Sequence, residues 1–297
     1  MGALAAPLRE EFPEIELVDV GDEPAEGDAE VLFGGWDDAK VLPLLDRGVQ
    51  WVQLPGTGID GVPTEVFERV PTVTCARGAS AVPISEYVLT VMLAFAKGFP
   101  QHWLSGPPKR WNFQRMDTLA GKTVGLIGLG GIGRAIARRA QAFDARVVAL
   151  RRRDLPGPDG VTVVRTLEEL LPQADHLVVA APATPRTRGM LDDAAFALVK
   201  PGVHLVNIAR GTIVDQHALR RALDDGHVAR ASLDTVDPEP LPEGHWMYSH
   251  PRVLLTPHSS WSSPAILDAA IDIFRENLRR YLAGEPLEHV VDPAEGY

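Results

Sequence analysis

The chain has 297 residues, 45% of them apolar and 23% charged, which suits two domains with their own cores and excludes a disordered chain as the default. A formal net charge of −11 argues against a nucleic-acid partner, because phosphate backbones repel such a surface. The single cysteine, Cys75, forbids an intrachain disulfide and fits a reducing cytoplasm; it is expected to be a packed strand residue.

The opening stretch, MGALAAPLREEFPEIE, lacks the basic-then-apolar pattern of a signal peptide. Short apolar runs then predict strands at Ile15–Val20, Val31–Phe33, Trp51–Leu54 and Thr72–Cys75. A long helix is expected from about Ile84 to Lys97; its run YVLTVMLAFA (87–96) is only half a membrane span and reads as buried. The Pro- and Trp-rich segment FPQHWLSGPPKRW (99–111) reads as a surface connection. Further strands are expected at Thr123–Ile127, Arg146–Leu150, Leu177–Ala180, His204–Ile208 and Val253–Thr256, with ARASL (229–233) strand-like. Asp215 is placed to cap a helix that Gly226 stops, and Ser263–Pro264 to open one that runs to Gly284.

This alternation is the mark of parallel α/β sheets. The expected architecture has two Rossmann-like or flavodoxin-like domains. A doubly wound cofactor domain, residues 93–263, is inserted in a discontinuous substrate domain made of residues 1–92 and 264–297.

TVGLIGLGGIGRAIARRAQAF (123–143) carries Gly128-x-Gly130-x-x-Gly133 between a strand and a helix. Such a turn needs a tight bend at Gly128, close approach of backbone to a pyrophosphate at Gly130, and close helix–strand packing at Gly133. The helix start then offers unpaired N–H groups to an anion. Eighteen positions after Gly133, where a ribose-binding carboxylate is expected, stand Arg151, Arg152 and Arg153; Asp154 comes three positions late. A guanidinium there suits a 2′-phosphate, so the expected cofactor is NADP, with NAD as the alternative if the arginines form a solvated loop.

Three later segments follow strands and can converge at one sheet edge: VNIARGTIVD (206–215), LDTVDPEPLP (233–242) and LLTPHSSW (254–261). They offer Arg210, Glu239 and His258, the groups a keto acid reductase needs. Arginine grips a carboxylate in a bidentate fork, histidine protonates the carbonyl oxygen, and a carboxylate orients the imidazole.

At these residues the chain resembles the D-isomer-specific 2-hydroxyacid dehydrogenase family. The likeness runs from LPGTGIDG (54–61) through VTCARGASAVPISEYVL (73–89), GLGGIG (128–133), APATPRTRGML (181–191) and the three segments above to VVDPAEGY (290–297). The resemblance implies Arg210, Glu239 and His258 as the catalytic set. It places Thr57 and Gly58, in the loop GTGID, at the substrate carboxylate from the other domain. Besides Gly128, Gly130, Gly131, Ile132, Gly133, Arg151 and Arg152, expected cofactor contacts are Pro182, Ile208, Ala209, Asp234 and Ser260. The implied reaction is hydride transfer between NAD(P)H and a small 2-oxo acid, glyoxylate or hydroxypyruvate, giving the D-2-hydroxy acid. A homodimer formed through the inserted domain and the helix near Ile84–Lys97 is expected; no metal, nucleic-acid or membrane partner is.

Glu239 stands where formate dehydrogenases carry glutamine, which speaks against formate. Leu54 stands where phosphoglycerate dehydrogenases usually place an arginine, and their regulatory domain has no counterpart in the sequence. The family's opening strand has no match before Ile15, so the expectation is that this strand is lost or that the native start lies upstream. The rival reading is a nucleotide-sensing module without turnover, like the C-terminal-binding-protein corepressors, although no low-complexity recruitment arms are seen. A third is an oxidoreductase of the same fold acting on a bulkier keto acid.

Overall fold

Strands buried on both faces read as predominantly apolar runs, and the central strands of this chain do so, with Gln53, Thr74, His176, His204 and Ser232 among the buried polar exceptions. The computed structural model describes residues 2–18, 27–34, 38–112, 114–152 and 155–293. The chain divides into two compact units, Met1–Ser80 with Ser263–Tyr297, and Ala81–Ser262.

In chain order the elements are α1 (Gly2–Glu11), β1 (Val31–Phe33), α2 (Asp38–Leu45), β2 (Trp51–Leu54), α3 (Thr64–Arg69), β3 (Thr72–Cys75), α4 (Ala81–Lys97), β4 (Thr123–Ile127), α5 (Gly131–Gln141), β5 (Arg146–Leu150), β6 (Val161–Val164), α6 (Leu167–Leu170), β7 (His176–Val179), α7 (Asp193–Leu198), β8 (Val203–Asn207), α8 (Gln216–Asp224), β9 (Val228–Leu233), β10 (Val253–Leu255) and α9 (Ile266–Leu282).

In the first unit β1, β2 and β3 form a parallel sheet in that order. Val52, Leu54, Val73 and Cys75 pack on Val41, Leu45, Val66 and Val70 around α2 and α3. The opposite face is closed around Trp51 by Leu8 of α1, Phe12 just beyond it, and Phe274 and Leu278 of α9. Glu11 accepts from Nε of both Arg275 and Arg279, at 2.8 Å each, tying α1 to α9.

The second unit is a seven-stranded parallel sheet, order β10-β9-β8-β7-β4-β5-β6. Alternate side chains divide between its faces. Leu126, Val147, Ala149, Val178 and Val206 pack with α4 and α5, while Ile127, Val148, Leu177, Val179 and Leu205 pack with α6, α7 and α8. The sheet is therefore doubly wound. Asp215 caps α8 through the amides of His217 and Ala218.

Three expectations change. The domain boundary falls at 80/81 rather than 92/93, because Ile84, Val88, Leu89, Met92 and Ala96 of α4 bury their face in the second unit; the return falls at 262/263. The strand expected at Ile15–Val20 is absent at residues 15–18, and Asp19 and Val20 lie outside the described residues. Ile15 and Leu17 instead pack on the apolar cluster around Trp51, and among the described residues β1 pairs only with β2. The strand β6, not anticipated, pairs with β5 as an edge. Among the described residues no helix is long and apolar enough to cross a membrane.

Two buried histidines in the second sheet have a measurable consequence. His176 and His204 meet through their Nδ1 atoms at 3.2 Å, and His204 Nε2 lies 2.9 Å from Ser232 Oγ. Burial holds His176 down to about 4 and His204 well below its usual value of 6.5. Between about 4 and 6.5 the unfolded chain binds protons that the folded chain refuses, so stability falls as pH falls through that window. The expected slope is on the order of 1 kcal/mol per pH unit for each histidine. Thermal unfolding across the window checks it, and the double substitution His176→Gln, His204→Gln should flatten the slope.

Candidate active site

In a parallel sheet every strand delivers its carboxyl end to the same edge, and ligands bind beyond that edge where the winding reverses. Here the reversal lies between β4 and β7. The turn after β4 has Gly128 at φ +106°, and a Cβ there would lie 2.8 Å from the carbonyl oxygen of Ala180. A Cβ on Gly133 would overlap the Gly128 carbonyl, so α5 approaches the strand as closely as glycine permits. Gly130, by contrast, has nothing within 4 Å of its Cβ position, and as N-cap of α5 it brings no side-chain partner to the first helical amides. Gly131 and Ile132 form the first turn of α5. An open backbone cradle beneath uncapped N–H groups fits a dinucleotide pyrophosphate.

The other expected cofactor residues occupy the same edge. Pro182 follows β7, and its carbonyl accepts from Thr187 Oγ1 at 2.8 Å. Ile208 and Ala209 follow β8 and are buried. Arg151 and Arg152 follow β5; Arg153 and Asp154 lie outside the described residues. Arg151 donates to the carbonyls of Leu155 at 3.4 Å and Pro156 at 3.0 Å. Arg165, at the end of the unanticipated β6, donates to the Arg151 carbonyl at 3.0 Å, adding a guanidinium that the sequence reading missed.

The catalytic candidates come from the loops after β8, β9 and β10. His258 Nδ1 lies 2.8 Å from Glu239 Oε2, while Glu239 Oε1 accepts from the Val236 amide at 3.0 Å. An ionised carboxylate only accepts, so Nδ1 carries the proton and Nε2 is the nitrogen left to exchange one. Both side chains are a little over one-third exposed, which leaves the pair open to a ligand. Arg210 follows β8 in extended backbone, and its loop is braced by Asn207, whose side chain donates to the Arg210 carbonyl at 3.0 Å and accepts from the Ala209 amide at 3.1 Å. The next residue, Gly211, abuts Val236 so closely that a Cβ would overlap the Val236 backbone. The arginine loop is thus seated directly on the loop that holds Glu239.

Asp234 and Ser260 come together, but as parts of a frame. Asp234 is 1% exposed, and its carboxylate accepts from the Ser259 amide at 2.9 Å, the Ser260 amide at 3.0 Å and Thr256 Oγ1 at 2.5 Å. Its main-chain carbonyl accepts from the His258 amide at 2.9 Å. His258 itself sits at φ +51°, a left-handed conformation uncommon for a non-glycine residue. Tyr87 on α4 reaches this frame, its hydroxyl 2.9 Å from Thr256 Oγ1.

In the first unit the loop GTGID follows β2; Thr57 Oγ1 donates to the Ala76 carbonyl at 3.3 Å, and Gly58 is half-exposed. Among the described residues no three His, Cys, Asp or Glu side chains group as a metal site.

A family model described as D-isomer specific 2-hydroxyacid dehydrogenase, NAD binding domain, matches residues 89–260. D-3-phosphoglycerate dehydrogenase of Methanocaldococcus jannaschii is 33% identical over 80% of this chain and 46% of its own length. The chain spans about half the length of the curated relatives it matches. A D-isomer specific 2-hydroxyacid dehydrogenase of Xanthobacter autotrophicus Py2, solved in complex with NADPH and MES, is similar with a TM-score of 0.83 and 30% identity over 99% of this chain and 95% of that one. An NADPH-dependent glyoxylate/hydroxypyruvate reductase of Sinorhizobium meliloti, solved with NADP and sulfate, gives a TM-score of 0.83 at 25% identity over 100% and 96%.

Proposed function

The chain belongs to the D-isomer-specific 2-hydroxyacid dehydrogenase family, and from that premise we propose that it reduces a small 2-oxo acid of the glyoxylate or hydroxypyruvate kind to the D-2-hydroxy acid. The observation that carries this reading is the Glu239–His258 pair, 2.8 Å apart, on loops locked to the one that bears Arg210. NAD(P)H bound at the glycine turn supplies the hydride. Arg210 holds the substrate carboxylate with its planar fork. His258 protonates the carbonyl oxygen from Nε2, and Glu239 keeps the ring oriented through Nδ1. Asp234, Ile208, Ala209 and Ser260 line the nicotinamide end, Pro182 the adenosine side.

A small substrate is supported by the likeness to the Sinorhizobium reductase. Against 3-phosphoglycerate stands Leu54, fully buried where those enzymes place an arginine. Dimerisation through the second unit and α4 belongs to the proposal; Trp103 and Trp111, 68% and 74% exposed in the segment after α4, are apolar surface of the kind that a partner covers.

Arg151, Arg152 and Arg165 at the ends of β5 and β6 support NADPH over NADH. Arg151→Asp is expected to raise KM for NADPH by about 10–100-fold, the worth of a charge-assisted hydrogen bond, and to change KM for NADH by less than about twofold. Equal losses with both cofactors would refute the assignment. The test of the whole proposal is a kinetic panel of 2-oxo acids with each reduced cofactor. Turnover with small acids supports it, whereas tight nucleotide binding without turnover on any acid favours the nucleotide-sensing reading.

A further inference from the structure

We propose that Tyr87 and Thr256 are positioning residues for the imidazole of His258, acting through the buried carboxylate of Asp234. This rests on the reading of His258 as the proton donor and extends it to two side chains with no role in that reading.

The direction of each hydrogen bond follows from chemistry. Asp234 Oδ1 accepts, so the Thr256 hydroxyl spends its proton on it, at 2.5 Å. Thr256 Oγ1 can then only accept from Tyr87, 2.9 Å away, and the phenol must be the donor. Burial pushes the Tyr87 phenol up, and the nearby Asp234 charge adds to this, so it stays protonated and keeps donating. Asp234 consequently accepts at Oδ1 both from the Thr256 hydroxyl, backed in series by Tyr87, and from the Ser259 amide, and at Oδ2 from the Ser260 amide. Its main chain grips the His258 amide. These bonds hold His258 in the left-handed backbone conformation, which non-glycine residues adopt infrequently. The Trp261 indole closes the frame, donating to the His258 carbonyl at 2.7 Å. Thr256 lies two residues before His258, whereas Tyr87 is far off in sequence on α4, so the helix steadies the proton donor without touching substrate or cofactor.

The full chain is assayed by single-turnover consumption of NADPH with a small 2-oxo acid. Thr256→Val should lower the rate about tenfold, the isosteric Tyr87→Phe about fivefold, each with KM for acid and cofactor within about twofold, the scale of one hydrogen bond lost to positioning. Thr256→Ser, which keeps the hydroxyl, should recover the rate to within about twofold, and adding Tyr87→Phe to Thr256→Val should cost nothing further, as expected for serial members of one chain. Unchanged rates in both deletions, losses confined to KM, failure of Thr256→Ser to rescue, or additive losses in the double variant overturn the proposal. His258→Ala run alongside separates the two levels. If it keeps turnover, the underlying reading falls; if it is dead while Tyr87→Phe and Thr256→Val run at full rate, only the relay falls.

Discussion

Replacing His258 by alanine is expected to lower kcat for 2-oxo acid reduction about a thousandfold, within the range a positioned proton donor contributes. Nucleotide binding should persist, because the glycine turn is built from β4 and α5 and has no contact with residue 258 in its construction. Cofactor fluorescence titration beside steady-state rates separates the two. Glu239→Gln should fall between, at about 10–100-fold, since an amide oxygen still accepts from Nδ1 but makes a weaker hydrogen bond than a carboxylate does. A His258→Ala protein with near-normal kcat would remove the centre of the mechanism.

Arg210→Gln is expected to lower kcat/KM for the keto acid by about 10²–10³-fold, corresponding to two charge-assisted hydrogen bonds of a bidentate fork. The loss should fall mainly on KM for the acid, leaving KM for NADPH unchanged. Arg210→Lys should rescue little, because an ammonium group keeps the charge and lacks the planar fork. Asn207 bonds to the main chain of residues 209 and 210, so the loop keeps its course in both variants and a thermal melt should show little change. A variant that retains full kcat/KM would place the carboxylate elsewhere.

What the sequence made legible was whatever a local rule dictates. Gly128 and Gly133 of the phosphate turn each answer a steric demand visible in the backbone, while Gly130 leaves open space above the first amides of α5, so the three could be assigned separate tasks from the motif alone. Arg210, Glu239 and His258 could be gathered because parallel strands bring their following loops to one edge. Relations between distant residues were hidden. Tyr87 and Thr256 stand 169 positions apart, and no periodicity links them. Arg165 was missed with its strand, a four-residue edge whose half-buried pattern gives a weak signal. The domain boundary was set too late because α4 reads as apolar on one side without saying which sheet receives that side. Ile15 and Leu17 alternate like a strand, but alternation says only that one face is covered, and here helices α1 and α9 supply the cover.

The contact between Gly211 and Val236 couples two pieces of machinery as meshed gears are coupled. With no room for a single methyl group between them, the segment that would grasp the acid and the segment that steadies the imidazole cannot drift independently. Retargeting this protein by lengthening or randomising one of those segments alone should jam the pair. Libraries that vary both together, with residue 211 kept as glycine, are the ones that should preserve turnover while altering which acid is accepted.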